Sequence, residues 1–276
     1  MAGQGDEVLT WQAGSGLRPG SAGSARLLVA DSWLLDAGRV RGLDLHRQRF
    51  AGSCGDAAGV RPAELDEFWR AVVERLPRSG TWFPRVELAA APRGPPRLWL
   101  RIRPAPARTE EVRVWVSPGP DGRTMPRRKG PDLDRLAELR HAGAQAGAQE
   151  VLLTTRSGLV LEAANSSLMW WEGPVLCLTD PALRVLPGVT AALVRRHAAR
   201  CGIPVRNRRS RLADLDGREA WLTNALHGIR PVTAWVGSTV SAGAATRAAQ
   251  WRQWWTDWAE PLPDPVAARS GDRVTR

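Results

Sequence analysis

The sequence predicts an α/β protein of two domains, and three observations carry that prediction. The chain has 276 residues, 43% of them hydrophobic, so it can bury one large core or two of ordinary size. Strand-like and helix-like segments alternate along both halves. The segment SPGPDGRTMPRRKGP at 117–131 is too rich in proline and glycine for a regular element. We therefore expect a small N-terminal α/β domain over 1–117, a linker over 118–130, a larger C-terminal domain over 131–260 and a flexible tail over 261–276.

The first half contains two predicted helices among predicted strands. Strands are expected at 8–11, in two runs within 26–43 around the turn 36–38, and at 82–91, 97–105 and 110–117. A mobile loop is expected between the first strand and residue 25. The helices span 45–54 and 61–77, the second with Pro62 in its first turn. Its apolar residues share one face: Leu65, Phe68, Trp69, Val72 and Leu76.

The second half is predicted to begin and end with helices around a group of strands. Helices are expected at 132–147 and 189–202, the latter after the loop VLPG. Strands are expected at 150–155, 159–164, 167–173, 175–179, 220–226 and 230–237. A last helix carries a tryptophan stripe at helical spacing: Trp251, Trp254, Trp255 and Trp258. This stripe predicts core packing or a subunit contact.

Composition excludes several classes of protein. Cys54, Cys177 and Cys201 are far apart and lack a neighbouring histidine at ligand spacing, so we predict neither a disulfide nor a metal site. The net charge is +11, but the arginines are spread along the chain, which favours at most weak polyanion binding over a dedicated nucleic-acid module. No apolar run is long enough to span a membrane, and an acidic pair stands near the N-terminus, so we expect a soluble, cytoplasmic protein.

Lys129 is the only lysine among the 39 lysine and arginine residues of the chain. High-GC codon usage accounts for an excess of arginine, and one surviving lysine fits that explanation. Chemistry offers another explanation, because a desolvated lysine can lose its proton and attack a carbonyl, whereas arginine cannot. Lys129 is therefore a candidate nucleophile.

Several motifs follow Lys129 in a recognisable order: GAQEVLLTTRSGLVLEAANSSLMWWEG, then LPGVT, then WLTNALHGIRPV. This order resembles the fold-type IV pyridoxal phosphate enzymes, which include branched-chain and D-amino acid aminotransferases and aminodeoxychorismate lyase. The resemblance covers 129–236 well and 30–55 loosely, and LTNALHGIRPV is closest to the lyase-like members. It implies a D-amino acid aminotransferase-like architecture with a strand barrel in the larger domain, pyridoxal 5'-phosphate between the domains, and a homodimer.

The resemblance also implies roles for two residues in the chemistry. Lys129 corresponds to the lysine that bonds the cofactor's aldehyde and later moves the substrate's α-proton. Glu162 corresponds to the carboxylate that faces the pyridine nitrogen and keeps it protonated. Without the resemblance, Glu162 reads as a solvated residue at the end of a strand.

Five further residues are implied to hold the cofactor's phosphate. Val189 and Thr190 open a helix after a glycine, where free N–H groups and the helix dipole favour an anion. Asn224 and Ala225 match the segment that contacts the phosphate from the other side, and Arg49 matches an arginine from the smaller domain. An ordinary capped turn and a surface arginine are the alternatives for Thr190 and Arg49.

The sequence departs from the family pattern at several positions. In many aminotransferases of this group a tyrosine supports the cofactor's phenolic oxygen, but this chain has no tyrosine. By spacing, Asp134 occupies or neighbours that position, where a carboxylate beside a phenolate would be unfavourable unless one of them is protonated. Ser167 stands where the family has the asparagine of an N-L-F run, and Ala191 where arginine often follows. The first half also lacks a clear G-D-G-x-F-E/T segment, which usually lines the substrate pocket.

We therefore expect a pyridoxal phosphate-dependent aminotransferase of class IV that acts on an amino acid. The alternatives are an aminodeoxychorismate lyase-like enzyme that eliminates a C–C or C–O bonded group, or a non-catalytic basic binding relative of the same fold. The expected partner is a small amino acid or an amino-deoxychorismate-like acid. The sequence leaves substrate identity, stereochemistry and the choice between transamination and elimination open.

Overall fold

The computed structural model describes residues 6–20, 25–91 and 93–264. The chain divides into two compact units, Met1–Pro106 together with Ala259–Arg276, and Ala107–Trp258.

The first unit contains an antiparallel sheet of five strands in the order β2-β1-β8-β7-β3. These are β1 Glu7–Gln12, β2 Gly16–Pro19, β3 Leu27–Ser32, β7 Arg85–Ala89 and β8 Arg97–Ile102. A small sheet in the order β17-β5-β4-β6 comprises β4 Leu35–Asp36, β5 Arg39–Val40, β6 Thr81–Trp82 and β17 Glu260–Pro261. Helices α1 Leu43–Ala58 and α2 Pro62–Arg75 complete the unit.

The core of the first unit forms between the two helices and the five-stranded sheet. All five apolar residues that the sequence places on one face of α2 are buried in this core. The hairpin β4–β5 turns at Ala37 and Gly38, as the sequence predicts. Beyond β1, however, the chain forms β2 and pairs back on it where a mobile loop was expected; residues 21–24 lie outside the described residues.

The second unit is a mixed sheet of eight strands, in the order β11-β10-β9-β16-β15-β12-β13-β14. Its strands are β9 Val112–Val116, β10 Glu150–Thr154, β11 Val160–Ala163, β12 Ser167–Glu172, β13 Val175–Thr179, β14 Val205–Arg208, β15 Ala220–Asn224 and β16 Gly228–Val236. Its helices are α3 Leu133–Gln145, α4 Val189–Arg200 and α5 Ala248–Asp257, with a 3₁₀ turn at Leu212–Leu215. The sheet curls into a half-barrel, which confirms the strand barrel predicted for this part of the chain.

The predicted domain boundaries differ from those of the compact units at both ends of the second unit. Strand β9 was assigned to the small domain, but it pairs in parallel with β10 and β16, so the segment 118–130 lies inside the second unit and is not an interdomain linker. At the other end, β17 pairs with β5 and Leu262 is buried in the core of the first unit. The predicted tail is therefore wrong for 261–264, and residues 265–276 lie outside the described residues.

The last helix packs by its tryptophans, as its spacing predicts. Trp251 and Trp255 are buried, while Trp254 and Trp258 are half-buried. Glu219 accepts hydrogen bonds from the backbone N–H groups of Arg247 and Ala248 at 3.0 Å and so caps the start of α5.

Within the described residues, no helix is both long enough and apolar enough to cross a membrane. The same residues include no group of three histidine, cysteine, aspartate or glutamate side chains that could hold a metal ion.

Candidate active site

Lys129 lies in the loop between β9 and α3, and one carboxylate organises that loop. Asp132 accepts the backbone N–H of Thr124 at 2.9 Å, the N–H of Met125 at 2.8 Å and the Thr124 hydroxyl at 3.0 Å. Burial would raise the pKa of Asp132, but these hydrogen bonds hold it below its ordinary value. The half-buried Lys129 is thus presented by a loop with a fixed backbone.

The buried acid near Lys129 is Asp132, two residues before the one that the spacing indicated. Asp134 is exposed in the first turn of α3, whereas Asp132 is 7% exposed. The carboxylate of Asp132 is occupied by the loop's own N–H groups. This arrangement gives Asp132 a structural role that the sequence pattern did not indicate.

Glu162 lies on β11, is 4% exposed and joins two segments through one oxygen. Its Oε1 accepts Nη1 of Arg123 at 2.7 Å and the backbone N–H of Leu186 at 2.9 Å. Arg123 belongs to the Lys129 loop, and Leu186 belongs to the turn that leads into α4. Among the described residues, Glu162 Oε2 accepts no hydrogen bond, so it is available to a further partner.

The charges around Glu162 are strongly coupled. Burial raises the pKa of Glu162, while Arg123 and the Leu186 N–H oppose that rise. Burial alone would lower the pKa of Arg123, but its hydrogen bond to Asp121 and the charge of Glu162 raise it above its ordinary value. Arg123 is therefore a permanent cation between two acids, and it bonds Asp121 through Nε and Nη2 at 3.0 Å.

Further hydrogen bonds tie the Lys129 loop to the segment before α4. Arg127 Nη2 donates to the carbonyl of Pro181 at 2.8 Å, and Arg184 Nη2 donates to the carbonyl of Thr124 at 3.4 Å. Together with Glu162, these contacts hold the loop and the turn against each other. The structure thus brings the segments that carry Lys129, Glu162 and the start of α4 into one network.

Helix α4 begins at Val189, as predicted, and its N-terminus has no side-chain cap and no acidic residue in its first turn. The first intrahelical hydrogen bond runs from the Ala192 N–H to the Gly188 carbonyl at 3.0 Å. The N–H groups of 189–191 therefore lack intrahelical acceptors, which is the arrangement that favours an anion. A Cβ on Gly188 would overlap the hydroxyl oxygen of Ser167, so glycine is required for this close approach.

An unsatisfied hydroxyl lies next to this turn. Thr223 on β15 is 2% exposed, and its Oγ1 has no hydrogen-bond partner among the described residues. Thr223 is the cross-strand partner of Ser167, so the two side chains lie on the same face of the sheet. Because Ser167 abuts Gly188, the unsatisfied hydroxyl faces the region at the start of α4.

Asn224 follows Thr223, and its side chain is used within the turn after β15. Its Oδ1 accepts the N–H groups of Leu226 at 3.0 Å and His227 at 2.8 Å, and its Nδ2 donates to Ser166 Oγ at 3.0 Å. Three of its four hydrogen-bonding positions are therefore occupied by protein. A ligand would meet the backbone at Ala225 more readily than the Asn224 amide.

Arg49 lies in the first unit, on α1. Its Nε and Nη2 donate to the two oxygens of Asp31 at 2.9 and 2.8 Å. His46 Nδ1 lies 2.8 Å from the same carboxylate. Asp31 thus orients the guanidinium of Arg49.

The residues of the second unit fit a phosphorylated aldehyde cofactor. A glycine keeps the turn before α4 free of a Cβ, the helix start offers N–H groups, and a buried hydroxyl lacks a partner beside it. These features suit a phosphate. Lys129 supplies the only primary amine among the side chains, and Glu162 supplies a buried carboxylate oxygen for a ring nitrogen.

The curled sheet joins a lysine-bearing loop, a buried carboxylate and an uncapped helix start, and this combination fits an enzyme that uses such a cofactor. Residues 28–235 match the amino-transferase class IV family, and the chain belongs to that family of pyridoxal phosphate-dependent enzymes. None of the curated proteins matches the sequence significantly.

Solved structures share the fold at low sequence identity. Branched-chain amino acid aminotransferase of Escherichia coli gives a TM-score of 0.78 at 16% identity, covering 92% of this chain and 95% of that chain. A hypothetical aminotransferase of Mycobacterium tuberculosis in its PLP-bound form gives 0.73 at 20%, covering 98% and 100%. A putative 4-amino-4-deoxychorismate lyase of Legionella pneumophila gives 0.73 at 15%, covering 87% and 96%.

Three residues of the candidate site escaped the sequence analysis. Arg123 and Asp132 flank Lys129 in the chain, and only their proline- and glycine-rich setting hinted that polar side chains must hold the loop together. Thr223 precedes Asn224 in the same motif, but a threonine in a strand is ordinary. Its missing hydrogen-bond partner becomes visible only in the fold.

Proposed function

We propose that the protein is a class IV aminotransferase that takes the α-amino group from an amino acid. One observation carries the proposal: Glu162 Oε1 is bonded both by Arg123 of the Lys129 loop and by the Leu186 N–H of the turn before α4. A single buried carboxylate thereby connects the segments of all three groups that the chemistry needs.

Each residue has a distinct task in this proposal. Pyridoxal phosphate, when bound, withdraws electrons from the bonds at the substrate's Cα. Lys129 Nζ would hold the cofactor through its aldehyde, and its amine would take the proton from the substrate's Cα as a general base. Glu162, whose Oε2 has no partner among the described residues, would hold the ring nitrogen and stabilise its positive charge. Arg123 keeps Glu162 oriented and favours its ionised form.

The phosphate is held, in this proposal, by the N–H groups at Val189 and Thr190, by the backbone at Ala225 and by Arg49 of the first unit. Asn224 contributes by fixing the turn, since most of its side chain is already bonded. Thr223 adds the buried hydroxyl that lacks a partner. The uncapped start of α4 supports this part of the proposal.

Reduction of the cofactor-loaded protein with borohydride tests the proposal directly. The cofactor should become permanently attached, and peptide mapping should place it on the peptide that contains Lys129. The Lys129→Arg variant keeps the charge but cannot supply a neutral amine, so it should gain no mass. An intact wild-type mass that cofactor and borohydride leave unchanged would refute covalent binding.

A lyase-like activity is the second candidate, because the motif LTNALHGIRPV resembles the lyase-like members of the family. The two activities differ in their products. A transaminase converts a 2-oxo acid acceptor into a new amino acid, whereas the lyase eliminates a group from an amino-deoxychorismate-like acid without an acceptor. A screen of amino donors with and without acceptor separates them. A protein that binds no cofactor and stays colourless would be the non-catalytic relative.

We also propose that the protein is a cytoplasmic homodimer. The proposal of a dimer rests on the family resemblance, because members of the family build each active site near a subunit boundary.

A further inference from the structure

A chain of polar contacts leads from the turn after β15 to a buried ion pair. Asn224 Nδ2 donates to Ser166 Oγ at 3.0 Å, and Ser166 Oγ donates to Glu150 Oε1 at 3.5 Å. Glu150 Oε1 in turn lies 3.7 Å from Nη2 of Arg230. Ser166, Glu150 and Arg230 have no part in the proposed chemistry.

A second chain of contacts returns from Arg230 to the same turn. Arg230 Nη1 donates to Thr109 Oγ1 at 3.1 Å, and the Thr109 N–H donates to Nδ1 of His227 at 3.2 Å. The His227 N–H donates to Asn224 Oδ1 at 2.8 Å. The two chains close a ring around 224–227, which we call the Asn224 ring.

The buried members of the Asn224 ring are costly to keep. Glu150 and Arg230 are each 3% exposed, and Nε and Nη2 of Arg230 have no hydrogen-bond partner among the described residues. Burial raises the pKa of Glu150, while Arg140 and Arg230 oppose that rise. A protein in which apolar residues replace a buried ion pair is often as stable or more stable. The stability of the fold alone therefore does not account for the pair of Glu150 and Arg230. A role in fixing one geometry does.

The state of His227 fits an intact ring. Burial first, and then the positive charges of Arg230, Arg140 and Arg108, lower its pKa to about 4. At neutral pH the imidazole is therefore uncharged, and Nδ1 can accept the Thr109 N–H. A protonated imidazole would donate from both nitrogens and could not accept the Thr109 N–H.

We propose that Glu150 and Arg230, acting through Ser166 and Asn224, are positioning residues that hold the turn 224–227 to receive the cofactor's phosphate. The inference rests on the proposed function, because that function supplies the phosphate. It makes Ser166 the link whose removal releases the turn while leaving Lys129 and Glu162 in place.

Binding to the cofactor-free full-length chain tests the inference without measuring activity. Tryptophan fluorescence titrations would compare pyridoxal 5'-phosphate with pyridoxal, which lacks the phosphate. Ser166→Ala should weaken binding of the phosphorylated form about tenfold and leave binding of pyridoxal unchanged. Ser210→Ala is the matched control, since Ser210 is also a buried serine of the second unit but lies outside the ring. It should alter neither affinity.

Glu150→Gln is the second variant, because it keeps the shape but leaves the charge of Arg230 unpaired. Glu150→Gln should also weaken binding of pyridoxal 5'-phosphate about tenfold and leave binding of pyridoxal unchanged. If both variants retain the wild-type ratio of the two affinities, the inference is overturned even if they unfold more easily. A wild type that binds the two ligands equally would instead overturn the proposed phosphate site, and the inference with it.

Discussion

Glu162 bonds Arg123 and the Leu186 N–H through Oε1, and replacing it with glutamine separates charge from shape. The amide oxygen of Glu162→Gln can still accept from Arg123 and Leu186, but the negative charge facing the ring nitrogen is lost. Turnover should fall by orders of magnitude, since each ~1.4 kcal/mol of lost transition-state stabilisation costs about a factor of ten. Cofactor affinity should fall less, because Lys129 and the phosphate site remain.

Two paired measurements check this prediction in wild type and variant. The first is an absorbance titration with cofactor, and the second is the single-turnover change in that absorbance on adding a reactive amino acid. Slow turnover with retained binding supports the assignment. Equal turnover rates would show that Glu162 is not the carboxylate that serves the cofactor.

The lowered pKa of Asp31 predicts how the free energy of unfolding depends on pH. Burial would raise its pKa, but Arg49 and His46 hold it well below its ordinary range. The contribution of Asp31 to the free energy of unfolding is therefore full above about pH 4, which is the pKa of an aspartate in an unfolded chain. It is lost as the pH falls from there towards the pKa of Asp31 in the folded state. Asp31→Asn should cost about 3–5 kcal/mol of unfolding free energy at neutral pH, because it leaves Arg49 without its buried charge partner.

Urea unfolding between pH 7 and pH 3 measures this difference. The gap between wild type and Asp31→Asn should narrow on acidification, because Asp31 of the unfolded wild-type chain takes up a proton while the folded carboxylate stays charged, which stabilises the unfolded state. Asp66→Asn is the control, since Asp66 and its partner Arg47 are exposed and such a pair contributes at most about 1 kcal/mol. A gap that stays constant with pH would contradict the prediction.

The sequence indicated the candidate site residues but not the residues that hold them in place. Lys129 stands out by its uniqueness, and Glu162 and the start of α4 by their order along the chain. Arg123 and Asp132 act through contacts with Glu162 and with backbone N–H groups, and such contacts depend on how distant segments pack. For the same reason the spacing pointed to Asp134, which is exposed, rather than to Asp132.

At the scale of elements, adding a single methyl group to the turn before α4 tests whether its close packing matters. Gly188 has φ −68°, so alanine is compatible with its backbone, but the added Cβ would overlap the Ser167 hydroxyl. Gly188→Ala should displace the start of α4 or the start of β12 and weaken cofactor binding about tenfold. Cofactor titration of the purified variant measures the effect.

Removing the Ser167 hydroxyl should relieve the overlap. The double variant Gly188→Ala/Ser167→Ala should therefore bind the cofactor more tightly than Gly188→Ala alone, and Ser167→Ala supplies the fourth corner of the cycle. Additive effects of the two substitutions would show that the close approach of Gly188 and Ser167 does not matter for binding.

Element identity followed from the sequence better than element pairing did. The apolar periodicity of α2 and the strand runs of both units reflect local burial, which a sequence pattern reports. The partners of β9 and β17 depend on segments far away in the chain: β9 pairs with β16, and β17 returns to pair with β5. This is why a proline- and glycine-rich loop inside one unit resembled a linker between two.

At the scale of the molecule, the tryptophans no longer argue for an oligomer. All fourteen lie within the described residues, and none is exposed. Met125 is the one exposed large hydrophobic residue of the described part of the chain. The apolar patch that exposed tryptophans would form is therefore missing, and the proposed homodimer rests on the family resemblance.

Light scattering with varied salt tests the homodimer and predicts the direction of the salt effect. Each chain carries a net charge of +11, so two chains repel each other at low ionic strength. Added salt screens that repulsion, and the dimer should therefore tighten as salt rises. At micromolar concentration and physiological salt, the mass should be twice the 30.1 kDa of one chain, with or without cofactor. A single species of 30.1 kDa under all these conditions would contradict the dimer and would require each active site to be complete within one chain.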